Sequence, residues 1–142
     1  MAINFKADQT VINSQIKTSQ VKVVKLTFSN FTTTNTDTLL AVLPADATIV
    51  SFRSWVKTAL TGNSVATPTL ALGTASGGAQ LMAAHTFPAG TAGAAQFLSP
   101  VLLQLADLAL PLAGDIQVWG RGACATGNPT AGEMYLVIEF VR

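Results

Sequence analysis

His85 and Cys124 are the chain's only histidine and only cysteine, and any nucleophilic or metal chemistry would have to start from them. A reactive thiol needs a base or a cation at hand. Cys124 has Ala123, Ala125 and Thr126 as neighbours, with Arg121 the nearest cation in sequence. It reads as a small inert thiol. His85 stands between Ala84 and Thr86 and reads as a strand side chain. One His and one Cys cannot complete a closed zinc site. The carboxylates Asp8, Asp37, Asp46, Asp107, Asp115, Glu133 and Glu139 are scattered singly. Asp46 and Asp115 lie in turn contexts, where bonding to nearby backbone explains them. Gly73, Gly77 and Gly78 match no phosphate loop, since no Gly-Lys-Ser/Thr follows. The expectation is a chain without catalytic residues, cofactor or metal.

What remains is recognition chemistry. Arg53-Ser-Trp55-Val-Lys57 and Trp119-Gly-Arg121 each set a tryptophan two residues from a cation. Cations interleaved with aromatics suit stacking on nucleic-acid bases. They also suit protein interfaces, which are rich in Trp and Arg. Net charge decides between these. Eight Lys and Arg against seven Asp and Glu leave +1, which draws neither nucleic acid nor an anionic membrane. Lys6, Lys17, Lys22 and Lys25 gather near the N-terminus, but Asp8 interrupts them, and they read as a solvated fringe. A protein partner is therefore expected.

Composition points the same way. A length of 142 residues suits one domain. Charged residues make up 11% of the chain, against a usual ~25%. Eighteen threonines occupy positions where Lys and Glu would ordinarily stand. So few charges leave a monomer poorly protected from association, so self-association or docking on a larger assembly is expected. A single cysteine rules out an intrachain disulfide. The start, Met-Ala-Ile-Asn-Phe-Lys, lacks a secretory apolar core. No apolar run approaches ~18 residues, so no membrane helix is expected. Cytosolic synthesis is expected.

The elements that must position these residues read as strands. Residues 1–19 are polar with isolated apolar side chains, including Phe5, Ile12 and Ile16. They read as an extended arm, ordered by a partner that receives those side chains. Residues 20–142 form the domain. Val21 to Phe28 alternates, with Val24, Leu26 and Phe28 on one face; Val21 and Val23 in the other phase imply a bulge or an edge. Leu39 to Leu43 follows, then a turn at Pro44 to Ala47. Thr48 to Leu60 places Val50, Phe52, Val56 and Leu60 inward and Ser51, Arg53, Trp55 and Lys57 outward. Further strands are expected at Thr69 to Leu72, Leu81 to Phe87, Ile116 to Arg121 and Glu133 to Val141, with loops at Pro88 to Ala95 and Gly122 to Gly132. Val101 to Leu110 fits a buried helix or a strand equally. On the Ile116 strand, Ile116 and Val118 point inward and Gln117, Trp119 and Arg121 outward. A bulge or a two-sided strand would reverse either tryptophan into the core. About eight short strands at roughly 8–12-residue spacing define an all-β, antiparallel sandwich.

Three stretches carry a resemblance. Leu43-Pro-Ala-Asp-Ala-Thr-Ile-Val50 leads into the long strand, Pro68-Thr-Leu-Ala-Leu-Gly-Thr74 follows a Gly/Asn turn, and Thr130-Ala-Gly-Glu-Met-Tyr-Leu-Val-Ile-Glu-Phe-Val141 closes the chain. Their order, over residues 39–142, resembles jelly-roll-like virion proteins of tailed bacteriophages: capsid decoration (cement) proteins and related head or tail appendages. That resemblance implies a non-enzymatic, often trimeric protein that binds the major capsid protein on the capsid surface after synthesis in the host cytoplasm. Other readings are a head-fibre, neck or tail subunit, and a carbohydrate-binding sandwich that stacks Trp55 or Trp119 on sugars.

Overall fold

A computed structural model describes residues 18–142 except 46, 63, 88–91 and 99–113. Among these residues, eight strands follow one another: β1 (Ser19–Thr27), β2 (Thr36–Leu43), β3 (Thr48–Gly62), β4 (Ala66–Gly73), β5 (Met82–Thr86), β6 (Ala95–Leu98), β7 (Ile116–Thr126) and β8 (Pro129–Val141). They form two four-stranded antiparallel sheets, ordered β1-β8-β3-β6 and β2-β7-β4-β5. Strands that alternate between two sheets in this order make a jelly roll. Of the arm expected over residues 1–19, Thr18 and Ser19 already pair with Arg142 and Val141 at the start of β1; its residues 1–17, Phe5, Ile12 and Ile16 among them, lie outside the described residues, as does the segment Val101 to Leu110.

β8 shows why these residues form strands. Met134, Leu136, Ile138 and Phe140 are buried, while Glu133, Tyr135, Val137 and Glu139 alternate with them on the outer face. A period of two with one apolar phase fits a strand whose single face lies on a core. β8 pairs without a break with β1, from Ser19↔Val141 to Thr27↔Glu133. The pairing extends one residue further, where the Thr18 amide donates to the Arg142 carbonyl at 2.8 Å. Leu26, Phe52, Val56, Leu70, Leu72, Val118 and the inner residues of β8 meet between the sheets.

Several expectations need correction. Phe28 does not continue the inward phase of Val24 and Leu26. It lies exposed in a single 3-10 turn, Phe28–Asn30, where the chain leaves the first sheet, and Phe31 is buried in its place. Val50 is 48% exposed, because a bulge between Ile49 and Ser51 sets two residues against one of β8. Ile49 and Phe52 take the inner phase instead. Ser51, on the outer phase, is nonetheless buried, since its hydroxyl donates to Glu139 at 2.9 Å.

The expected loop from Gly122 to Gly132 is mostly strand, interrupted only by Gly127 and Asn128. Its glycines mark close approach of neighbouring backbone, as glycine in a strand often does. A Cβ at Gly122 would overlap the Asn30 carbonyl oxygen, and one at Gly132 would come within 2.7 Å of the Leu60 Cα. β6 is a further strand within a stretch read partly as loop; it pairs with β3 from Phe52↔Leu98 to Trp55↔Ala95.

Candidate interaction faces

The two outer faces of the sandwich carry the residues that sequence singled out, on opposite sides of the molecule. On the first sheet, Arg53, Trp55 and Lys57 project from β3 beside the outer residues of β8. Trp55 stands directly opposite Tyr135, and their rings stack at 5.8 Å and 17°. The indole remains 43% exposed. Across β8, Lys25 and Val23 of β1 lie opposite Tyr135 and Val137. Val21 and Val23 are 58% and 57% exposed, so the apolar phase of this part of β1 faces outward. Val21, Val23, Val137, Tyr135 and Trp55 thus form an apolar and aromatic strip across three strands.

Ion pairs flank that strip. Glu133 accepts from the Tyr135 hydroxyl at 2.7 Å and pairs with Lys25 at 2.9 Å and Lys57 at 3.2 Å. These bonds, with Tyr135 contributing most, bring the Glu133 carboxyl down to about 2. The same partnership raises the Lys57 ammonium. At the far side Glu139 pairs with Arg53 at 2.7 Å and accepts from Ser51, and both bonds lower its carboxyl. An aromatic centre inside a charged rim is the anatomy of a protein interface.

On the second sheet, Trp119 and Arg121 project outward from β7. Trp119 is half-buried, and its indole N–H donates to Gln117 Oε1 at 2.9 Å. Arg121 holds Asp37 of β2 through two bonds, at 2.9 and 3.3 Å, and this contact lowers the Asp37 carboxyl. Leu39 stands opposite Trp119 and Val42 opposite Gln117, both exposed. Sequence reading missed Tyr135, Val137, Leu39 and Val42, because the register that sets them beside the tryptophans is a long-range property. Their alternation with buried neighbours was the one local signal.

The lone thiol and imidazole stay apart from these faces. Cys124 is buried, and burial raises its thiol. His85 packs edge-on to Phe87 at 5.6 Å. Among the described residues no group of three His, Cys, Asp or Glu could hold a metal ion.

The geometry defines a jelly-roll sandwich with two outward apolar faces. No family model matches this chain, and no curated protein matches it. Two solved structures share its fold. A chain in the cyanophage Pam1 capsid asymmetric unit superposes with a TM-score of 0.63 at 22% identity, over 88% of this chain and 85% of that one. A chain in the capsid of Ralstonia phage GP4 gives 0.58 at 21% identity, over 88% and 84%. At these identities the shared property is the fold.

Proposed function

We propose that this chain is a structural, non-catalytic virion protein of a tailed bacteriophage, a decoration protein that self-associates and reinforces the head shell. The observation that carries this reading is the full-domain likeness to two chains of phage capsids. The exposed aromatic strip of the first sheet supports it, since a partner surface would cover Trp55, Tyr135 and the two valines of β1. Low charge and abundant threonine suit a protein that works inside an assembly. The partner on this reading is the major capsid protein, the place is the outer capsid surface, and the assembly is a trimer made in the host cytoplasm. Residues 1–17 act as a clamp on the shell.

Imaging of intact particles and a count of copies test the proposal. Hundreds of copies per particle are expected; a dozen or fewer would mean a head-fibre, neck or tail subunit. Deletion of residues 1–17 should leave melting of the free domain nearly unchanged and weaken binding to shells. Equal binding by the truncated protein would rule out the clamp. The near-parallel Trp55–Tyr135 stack also gives a sugar ring a platform, so a carbohydrate-binding role is the second reading. Glycan binding lost in Trp55→Ala, with shell binding intact, would favour it.

A further inference from the structure

We infer that the outer face of the first sheet receives an acidic protein surface, one that sets a carboxylate of its own against Lys25 and Lys57. The inference rests on the shell-binding role proposed above and states the chemistry of the partner. β1, β8 and β3 arrange this face in rows. Val23, Val137 and Arg53 make one row, and Lys25, Tyr135 and Trp55 make the next. The stacked rings therefore have Arg53 on one side, Lys57 on the other and Lys25 beyond Tyr135.

Charge is unevenly placed within this face. Arg53 and Glu139 cancel. Lys25 and Lys57 instead share one carboxylate, Lys25 at Glu133 Oε2 and Lys57 at Oε1, so their cluster keeps one positive charge. The four strands of the sheet carry one other charged residue, Lys22, and it lies on the opposite phase of β1, across from Ile138. Exposure sharpens the imbalance. Lys25 and Lys57 keep 53% and 51% of their side chains exposed, against 20% for Glu133. A partner surface thus meets the ammonium groups more than the carboxylate that they hold.

Covering the aromatic strip makes this charge matter. Tyr135 bonds to Glu133 itself, so a partner that buries the rings also takes water from the two lysines. A charge buried without a counter-charge is costly, and a carboxylate from the partner removes that cost. An ammonium has three donors, enough to hold Glu133 and a second carboxylate at once. A purely apolar partner would leave the positive charge uncompensated, and a basic one would add to it.

The test measures binding of the full chain to empty shells assembled without it, with thermal melting of each variant as the check on folding. Lys25→Gln combined with Lys57→Gln should weaken binding about tenfold or more. Glu133→Gln, which leaves both ammonium groups to the partner, should tighten it. Lys22→Gln removes the same charge from the other phase of β1 and should change nothing. Salt should weaken wild-type binding, because about 1 M salt shortens the screening length to about 3 Å. A double lysine variant that binds like wild type, or a Glu133→Gln that binds no tighter, overturns the acidic partner and leaves the shell-binding role standing. Equal weakening by Lys22→Gln would show a diffuse charge effect and overturn the assignment to this face. A wild type that binds no shells overturns the proposed function as well. Should the double variant melt early, Lys25→Gln alone carries the same readout.

Discussion

Trp55 and Phe52 stand three positions apart on one strand and face opposite environments. Phe52 is fully buried, and Trp55 lies over Tyr135 at the surface. Phe52→Ala should therefore cost about 3–5 kcal/mol, the usual range for an emptied aromatic core site. Trp55→Ala forfeits a stacked pair worth about 0.5–1.5 kcal/mol, with some loss of covered area. Urea unfolding of the two variants checks the difference, and equal losses would make Trp55 a core residue. Glu133 gives a pH signature. Its carboxyl is held at about 2 when folded, below the 4.5 of an unperturbed glutamate, so its bonds contribute stability that is present above 4.5. That contribution is lost as pH falls through about 2. Glu133→Gln should flatten the melting profile between those limits. The wild-type dependence should weaken at high salt, because Lys25 and Lys57 are half exposed.

At the scale of elements, β7 illustrates how small residues serve contact. Gly122 passes against the carbonyl of Asn30, at the end of the 3-10 turn between β1 and β2. Rigid backbone there cannot yield to a methyl group as a flexible side chain would. Gly122→Ala should destabilise the domain by about 1–3 kcal/mol or more, as overpacking does. Gly114→Ala is the control, since a Cβ there meets nothing within 4 Å. Thermal melting separates them, and equal melting of both variants would show that the turn can move aside. The bulge between Ile49 and Ser51 is the other element-scale device. It frees Val50 to the surface while keeping Arg53, Trp55 and Lys57 on one outward phase.

At the scale of the molecule, the first described strand pairs with the last, and β8 lies between β1 and β3. The first sheet cannot close until the C-terminal strand has arrived. Non-local pairing of this kind slows folding, so refolding should take milliseconds to seconds. Stopped-flow tryptophan fluorescence measures it; complete recovery within microseconds would contradict the expectation. Truncation after Thr126 removes β8 and its inner residues Met134, Leu136, Ile138 and Phe140. The remainder should show no cooperative melt.

Alternation along the chain is enough to identify the class of fold, the core residues Phe52, Val56 and Leu60 of β3, and the outward phase of Trp55 and Trp119. These are local facts, because a strand's two faces are written in its own residues with a period of two. Registers and bulges are not local. Val50 and Phe28 obey the alternation yet miss the core: one is displaced by a bulge, the other by a chain that must cross to the opposite sheet. Gly122 and Gly132 look like loop residues until the atoms they lie against are known. Only the assembled sheets set Tyr135 under Trp55 and Leu39 beside Trp119, and place the two tryptophans on opposite faces. Cross-strand pairing joins residues far apart in the chain, and no window of sequence contains both partners.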